Sequence, residues 1–201
     1  MTFIGKSRIL TRICYICTHH LSIYAYIMQE VHQNKIMEFR SAVQADAGRI
    51  WEIILQAKEQ MRLRGTLQWQ DGYPAFENII QDIESGYGYV LSNDKKVIAY
   101  GAVVFDGEPA YDAIVGEWLT NELYVVVHRL AVADEMKQQG IATLFMQKVE
   151  ELSRERGVRS FKVDTNFDNL YMQRIMSKLG FVYCGEVEYR SGKRMAYEKV
   201  C

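Results

Sequence analysis

The chain has 201 residues, of which 49% are hydrophobic and only two are prolines, and this composition excludes disorder as its main state. The 24 basic and 25 acidic residues leave a formal net charge of −1, which favours neither nucleic acid nor a membrane as a partner. Four cysteines, at positions 14, 17, 184 and 201, are too scattered for a disulfide framework and predict a reducing, cytoplasmic location.

The first 36 residues differ from the rest because they are apolar and basic with almost no acid. Charged and imidazole side chains interrupt them before any run reaches the roughly 18 apolar residues of a membrane-spanning helix. Their cysteines and histidines are Cys14, Cys17, His19 and His20. Crowded together, with no second pair at the usual spacing, these four predict no metal site. We therefore expect a poorly ordered or non-essential extension at 1–36 and one domain at 37–201.

The first half of the domain alternates strands and helices. In chain order it contains a strand at 37–42, a helix ending near 64, a loop rich in aromatic and turn residues at 66–74, a short helix at 75–84, a hairpin of strands at 87–92 and 96–105, and a long loop at 106–122. The first helix is predicted from apolar residues at helical spacing, such as Ile50, Ile53 and Ala57. The hairpin is predicted from its Asn93-Asp94 turn.

The second half has a different order of elements. It contains a strand at 125–132, a helix at 140–157, a strand at 159–165, a helix at 168–180, and closing strands at 181–190 and 194–200. A right-handed crossover makes the two strands around the first of these helices parallel neighbours. A strand meander followed by this unit predicts an α/β fold, with a mixed sheet that carries helices on both faces.

The turn before the helix at 140–157 is a candidate anion site. The amides of Gln138 to Thr143 have no partner inside the helix, and the helix dipole gives them about half a positive charge. Gly140 and Ala142 keep bulky side chains away, so a diphosphate could lie directly on the backbone. A plain tight turn explains this pattern equally well. A P-loop is disfavoured because no Lys-Ser or Lys-Thr follows Gly140.

The stretch LAVADEMKQQGIATLFMQKVEELSRERGVRSFKVDTNFDNLYMQRIMSKLGF resembles the acetyl-CoA binding region of the GNAT acetyltransferases. That family carries Arg or Gln, two residues, Gly, one residue, then Gly or Ala. This chain has Lys137 in the first position, a departure, with Gly140 and Ala142 in the others. The resemblance implies a three-layer αβα fold over 37–201, in which a central mixed sheet contains a splayed parallel strand pair.

The resemblance also implies how acetyl-CoA binds as a co-substrate. Leu130 and Val132 resemble the backbone partners of the pantetheine arm, and Asn169 is similar to the asparagine that binds it near the sulfur. The implied diphosphate cradle consists of Lys137, Gln138, Gln139, Gly140, Ala142 and Thr143. For Asn169 a helix N-cap is the alternative role, which Asp168 could fill as readily.

The implied reaction moves an acetyl group to a primary amine by direct attack in a ternary complex. A protonated amine, with a pKa of about 10.4, must first lose a proton to a base. His128 is the only one of four histidines inside the domain, and strand alternation places it on the face of Leu130 and Val132. We predict that it is the base, against the alternative of a partly buried structural histidine. Glu117 or Glu122, acting through water, is the second candidate.

A general acid is not evident in the sequence. Many family members carry a tyrosine where this chain has Met176, and Met176 continues an apolar helix stripe that predicts core packing. Coenzyme A can leave as a thiolate, since a thiol has a pKa of about 8.5. Tyr171 lies on another part of the helix and is a weak substitute.

Aromatic residues of two loops are predicted to border the acceptor cleft, where they suit a cationic amine. They are Trp69, Tyr73, Tyr111 and Trp118. Loop packing explains them equally well. The acceptor is then a small-molecule or peptide amine, and the sequence leaves monomer and homodimer open. The alternative function is a non-catalytic acyl-CoA binding or sensing module, which would not need His128.

Overall fold

A computed structural model describes residues 37–201. The extension at 1–36, with Cys14, Cys17, His19 and His20, lies outside the described residues. The strands are β1 Met37–Ser41, β2 Gly88–Asn93, β3 Lys96–Val104, β4 Val115–Gly116, β5 Tyr124–Val132, β6 Ser160–Thr165, β7 Val182–Tyr189 and β8 Gly192–Val200. The helices are α1 Ala47–Leu63, α2 Phe76–Glu84, α3 Ile141–Glu155 and α4 Leu170–Leu179, with 3-10 turns η1 Gln44–Asp46, η2 Pro109–Ala113 and η3 Asp134–Met136.

The strands form one mixed sheet in the order β1-β2-β3-β5-β6-β8-β7-β4. β5 and β6 are parallel, as the crossover through α3 predicted, while the hairpins β2–β3 and β7–β8 are antiparallel. The long loop predicted at 106–122 contains two short elements, because η2 and the two-residue strand β4 lie inside it. β4 pairs with β7 and adds an edge strand that the sequence did not predict.

Helices cover both faces of the sheet, which confirms the three-layer prediction. On one face, α1 and α2 pack Ile50, Ile53 and Ile79 against the sheet, in what we call the α1–α2 core. On the other face, α3 and α4 pack Phe145 and Met176 against it, in the α3–α4 core. Aligned apolar faces of this kind supply most of the stability of such layers.

The parallel pair β5–β6 separates partway along its length. Its paired residues are Tyr124 with Ser160, Val125 with Phe161, and Val126 with Lys162. β5 continues beyond that level to Val132 and β6 to Thr165. A gap therefore opens between the carboxyl-terminal ends of the two strands, as the resemblance implied.

A β-bulge at Arg129 corrects one expectation from the sequence. Pairing with β3 shifts between Ala102↔His128 and Tyr100↔Ala131, and Arg129 has a φ of +57°. The bulge adds one residue, so strict alternation along β5 breaks there. Val127 before the bulge and Leu130 after it both pack against the α3–α4 core. His128 therefore does not share a face with Leu130 and Val132.

Candidate active site

The turn between β5 and α3 leaves backbone amides open. Gly140 is the N-cap of α3 with a φ of +77°, and Gln138 also has positive φ, at 62°. Among residues 37–201, the N–H groups of Gln138, Gln139 and Gly140 have no hydrogen-bond acceptor. A Cβ built on Gly140 would meet no atom within 4 Å. The turn thus offers several unpartnered donors at a helix N-terminus, which suits an anion.

The side chains of this turn fold back onto it. Lys137 ion-pairs with Asp134, and the Gln139 amide donates to the carbonyl oxygen of Glu135 over 3.1 Å. Ala142 and Thr143 are half-buried in the first turn of α3. The backbone amides therefore supply most of the local positive potential. Lys137, which stands where the family motif has Arg or Gln, supplies less of it.

Asn169 occupies the N-cap of α4, which was the alternative role that the sequence left open. Its Oδ1 accepts a hydrogen bond from the N–H of Met172 over 3.2 Å. Its Nδ2 donates to Oε1 of Gln68 over 3.3 Å. Gln68 belongs to the loop after α1, so this contact brings the loop to the start of α4. No sequence signal indicated Gln68.

His128 contacts a carboxylate that the sequence analysis missed. Its Nε2 lies 3.1 Å from Oε2 of Glu108, and its side chain is 16% exposed. The other carboxylate oxygen, Oε1, accepts from the N–H of Ala110 over 3.2 Å. Hydrogen bonding with His128 holds the pKa of Glu108 below its usual value. The imidazole is thus fixed at Nε2 by an ionised carboxylate, while Nδ1 has no hydrogen-bond partner within residues 37–201.

The structure does not bring Glu117 or Glu122 to His128. Glu122 is exposed and precedes β5, which places it about 20 Å from His128 at roughly 3.3 Å per residue. Glu117 is exposed and follows the edge strand β4, and its N–H donates to the carbonyl oxygen of Cys184 over 3.0 Å. Glu122 thus precedes the amino-terminal end of β5, whereas the gap opens at its carboxyl-terminal end, and Glu117 follows a strand at the edge of the sheet.

Three of the four aromatic residues predicted at the acceptor cleft are packed. Trp69, 7% exposed, lies in the α1–α2 core. The buried Tyr111 donates its hydroxyl to Asp164 over 2.9 Å, and the indole N–H of Trp118 donates to the carbonyl oxygen of Tyr111 over 3.0 Å. Tyr73 is the open one, at 37% exposure, and its hydroxyl contacts Arg129.

Met176, which stands where many family members carry a tyrosine, packs in the core as its apolar helix stripe predicted. Met176 is fully buried in the α3–α4 core. Tyr171 is exposed, and the guanidinium carbon of Arg64 lies 4.2 Å from the centre of its ring. This cation–π contact joins the end of α1 to the start of α4, close to the Gln68–Asn169 contact.

The described residues show neither a metal site nor a membrane-spanning helix. Within 37–201, no group of three or more histidine, cysteine, aspartate or glutamate side chains has the arrangement to hold a metal ion. In the same range, no helix has the length and apolar character that crossing a membrane would require.

Comparison with known proteins identifies the class. Residues 50–181 match the family model described as Acetyltransferase (GNAT) family, which makes the chain an acyltransferase. A GNAT acetyltransferase from Streptococcus agalactiae is 36% identical, with a TM-score of 0.77 over 82% of this chain and 95% of that one. The chain therefore belongs to the GNAT acetyltransferase family. No curated protein gives a significant match.

More distant structures share the fold. The ribosomal-protein-alanine N-acetyltransferase of Brucella melitensis is 18% identical, with a TM-score of 0.60 over 82% of this chain and 99% of that one. The yncA protein of Salmonella typhimurium, solved with its cofactor acetyl-CoA, is 18% identical, with a TM-score of 0.59 over 82% and 93%. Family membership makes the chain an enzyme that transfers an acetyl group from acetyl-CoA, which sets aside the sensing-module alternative.

Proposed function

We propose that the chain is an N-acetyltransferase that moves an acetyl group from acetyl-CoA to a primary amine by direct attack in a ternary complex. One observation carries this proposal. His128 lies on β5 two residues beyond Val126, the last residue paired with β6, and it contacts Glu108 at the N-cap of η2. A carboxylate-supported imidazole beside the gap is suited to taking a proton from an amine.

The residues of the gap and the turn fit acetyl-CoA. The unpartnered amides from Gln138 to Gly140, with the first turn of α3, would hold the diphosphate. The end of β5 that is not paired with β6, at Leu130 and Val132, would bind the pantetheine arm, and Asn169 would bind it near the sulfur. Lys137 adds charge at the edge of the same turn. When bound, acetyl-CoA supplies an activated acetyl thioester.

His128 would act as the base through Nδ1. Glu108 contacts Nε2, which leaves Nδ1 as the nitrogen able to accept the proton of the amine. The ionised carboxylate then stabilises the imidazolium that results and keeps the ring oriented. The proposal assigns no general acid, because Met176 is buried in the core and a thiolate is an adequate leaving group.

The acceptor is proposed to be a cationic small-molecule or peptide amine. The ionised Glu108 and the exposed ring of Tyr73 both favour a positive charge near the base. We place the reaction in the cytoplasm, because Cys184 and Cys201 are free thiols.

A coenzyme A release assay with a panel of amines tests this function. The panel contains a diamine, an aromatic amine, an aminoglycoside, a peptide with a free N-terminus and a lysine peptide whose N-terminus is blocked. At least one amine should accelerate thiol release well above hydrolysis, and mass spectrometry should find the acetyl group on its nitrogen. Acetyl transfer to oxygen, or no acceleration by any amine, would contradict the proposal.

The domain is proposed to work without the extension. The apolar residues of 1–36 have no helical or strand periodicity that would match a core face. A chain that starts at Met37 should therefore melt within a few degrees of the full chain and bind acetyl-CoA with the same affinity. Differential scanning calorimetry and titration calorimetry measure the two quantities. Insolubility of the shortened chain, or a large fall in its melting temperature, would show that residues 1–36 are needed.

A further inference from the structure

The bulge on β5 places a bulky residue in an unfavourable backbone conformation. Arg129 has a φ of +57°, a region that L-residues other than glycine rarely adopt. Arg129 and Leu130 together face Gly101 on β3. Glycine would adopt this φ without strain. Another interaction must therefore offset the strain of an arginine at this position.

A buried ion pair holds the Arg129 side chain. Its Nε donates to Asp82 Oδ2 over 2.8 Å and its Nη2 donates to Asp82 Oδ1 over 2.6 Å. The side chains are 14% and 6% exposed. Tyr100 on β3 also donates its hydroxyl to Asp82. Such a bidentate pair fixes the guanidinium in position and, because it is buried, resists the separation of either partner.

The Arg129–Asp82 ion pair connects three parts of the site. Asp82 belongs to α2, Arg129 lies between His128 and Leu130, and a third guanidinium nitrogen contacts the hydroxyl of Tyr73 in the loop after α1. The ion pair supports the bulge, and the bulge determines on which face of the sheet the side chains before and after it lie. It leaves His128 against Glu108 and turns Leu130 towards the α3–α4 core.

We propose that Arg129 and Asp82 are positioning residues for acetyl transfer. Their ion pair holds the bulge, and the bulge sets both the orientation of the pantetheine-binding end of β5 and the face on which His128 lies. Acetyl-CoA as the co-substrate follows from family membership, whereas the roles of Leu130 in binding it and of His128 as the base rest on the proposed function. The two effects are therefore measured separately.

Two double variants separate the backbone role from the loss of the ion pair. Both carry Asp82→Asn, and they differ only in Arg129→Gly against Arg129→Ala. Glycine accommodates positive φ and alanine does not, so the bulge should persist in the first and relax in the second. In titration calorimetry, the alanine variant should bind acetyl-CoA at least tenfold more weakly than the glycine variant. The glycine variant should stay within about threefold of the native chain.

A control variant removes a comparable pair elsewhere. Arg40 on β1 makes a bidentate contact with Asp46 over 2.7 and 3.0 Å. Arg40→Ala with Asp46→Asn removes that pair three strands away from β5 and should leave acetyl-CoA affinity unchanged. Melting temperatures of all variants show the structural cost. If melting temperatures fall while affinities for acetyl-CoA stay equal, Arg129 and Asp82 are merely structural and the proposal is overturned.

A second comparison covers the case in which the alanine variant does not fold. Asp82→Asn alone leaves Arg129 at positive φ without its charged partner. Adding Arg129→Gly should then improve acetyl-CoA affinity, because the second substitution relieves the strain that the first left unsupported. Equal affinity of the single and double variants would overturn the proposal. With an accepted amine, the same pair of variants should differ in kcat, and this arm alone depends on His128.

Discussion

Gly140→Glu should abolish acetyl-CoA binding while leaving the fold largely intact. The space around Gly140 is open, since a Cβ there meets no atom within 4 Å, so a side chain can be added without a clash. Its carboxylate would lie beside the unpartnered amides and repel the diphosphate proposed to occupy them. We expect the dissociation constant to rise at least 100-fold, equivalent to about 2.7 kcal/mol, in titration calorimetry.

Gly157→Glu is the matched control for this substitution. Gly157 follows the other end of α3, has a φ of +73° against +77° for Gly140, and also has open space around its Cα. Both variants therefore introduce the same charge and nearly the same backbone strain on one helix. Gly157→Glu should keep its acetyl-CoA affinity. Equal losses of affinity in the two variants would assign the effect to strain and remove the diphosphate site from the turn.

The sequence predicted the architecture because each part of it is signalled locally. Apolar spacing at Ile50, Ile53 and Ala57 predicted α1, and these residues are buried against the sheet. The Asn93-Asp94 signal predicted the β2–β3 hairpin, whose two-residue turn is Asp94-Lys95, one residue further along, because Asn93 pairs with Lys96. The parallel β5–β6 pair followed from the handedness of the crossover through α3. Each of these signals lies in residues that are close together in the chain, so the sequence alone predicts the elements.

The bulge at Arg129 could not be predicted in this way. Period-two alternation along β5 assumes an unbroken strand, whereas the bulge depends on Asp82 from α2 and Tyr100 from β3. Glu108 was missed for the same reason. It lies 20 residues before His128 in a segment predicted to be a plain loop, and only the folded chain brings their side chains to 3.1 Å. Contacts of this kind have no local pattern.

The aromatic residues show a limit of composition as evidence. Trp69 and Tyr111 were predicted at the acceptor cleft from their place in loops, yet both are buried by their own packing and hydrogen bonds. Large aromatic side chains often hold a loop against the sheet, since burying them stabilises the fold considerably. Tyr73 differs from them through its exposure and its contact with Arg129. Both depend on how distant parts of the chain pack, so the local sequence does not signal them.

His128→Gln should lower kcat by about 10² to 10⁴, the usual contribution of a general base, with little change in acetyl-CoA affinity. Glutamine keeps a polar group against Glu108 but cannot take a proton at neutral pH. Glu108→Gln should lower kcat less, because it leaves the imidazole and removes only the charge that stabilises the imidazolium. Steady-state kinetics with an accepted amine, beside calorimetry with acetyl-CoA, measure both quantities.

The pH dependence assigns the titrating group. Because the pKa of Glu108 is held below its usual value of 4.5, this carboxylate is ionised throughout the neutral range and regains its proton only as the pH falls through the lowered value. An ascending limb of kcat/KM near neutral pH therefore belongs to a group other than Glu108. Amines of different pKa show whether that group belongs to the acceptor or to the protein, since a limb set by the amine moves with its pKa while one set by the protein stays in place. If His128→Gln keeps both the rate and the limb, His128 has a packing role and is not the base.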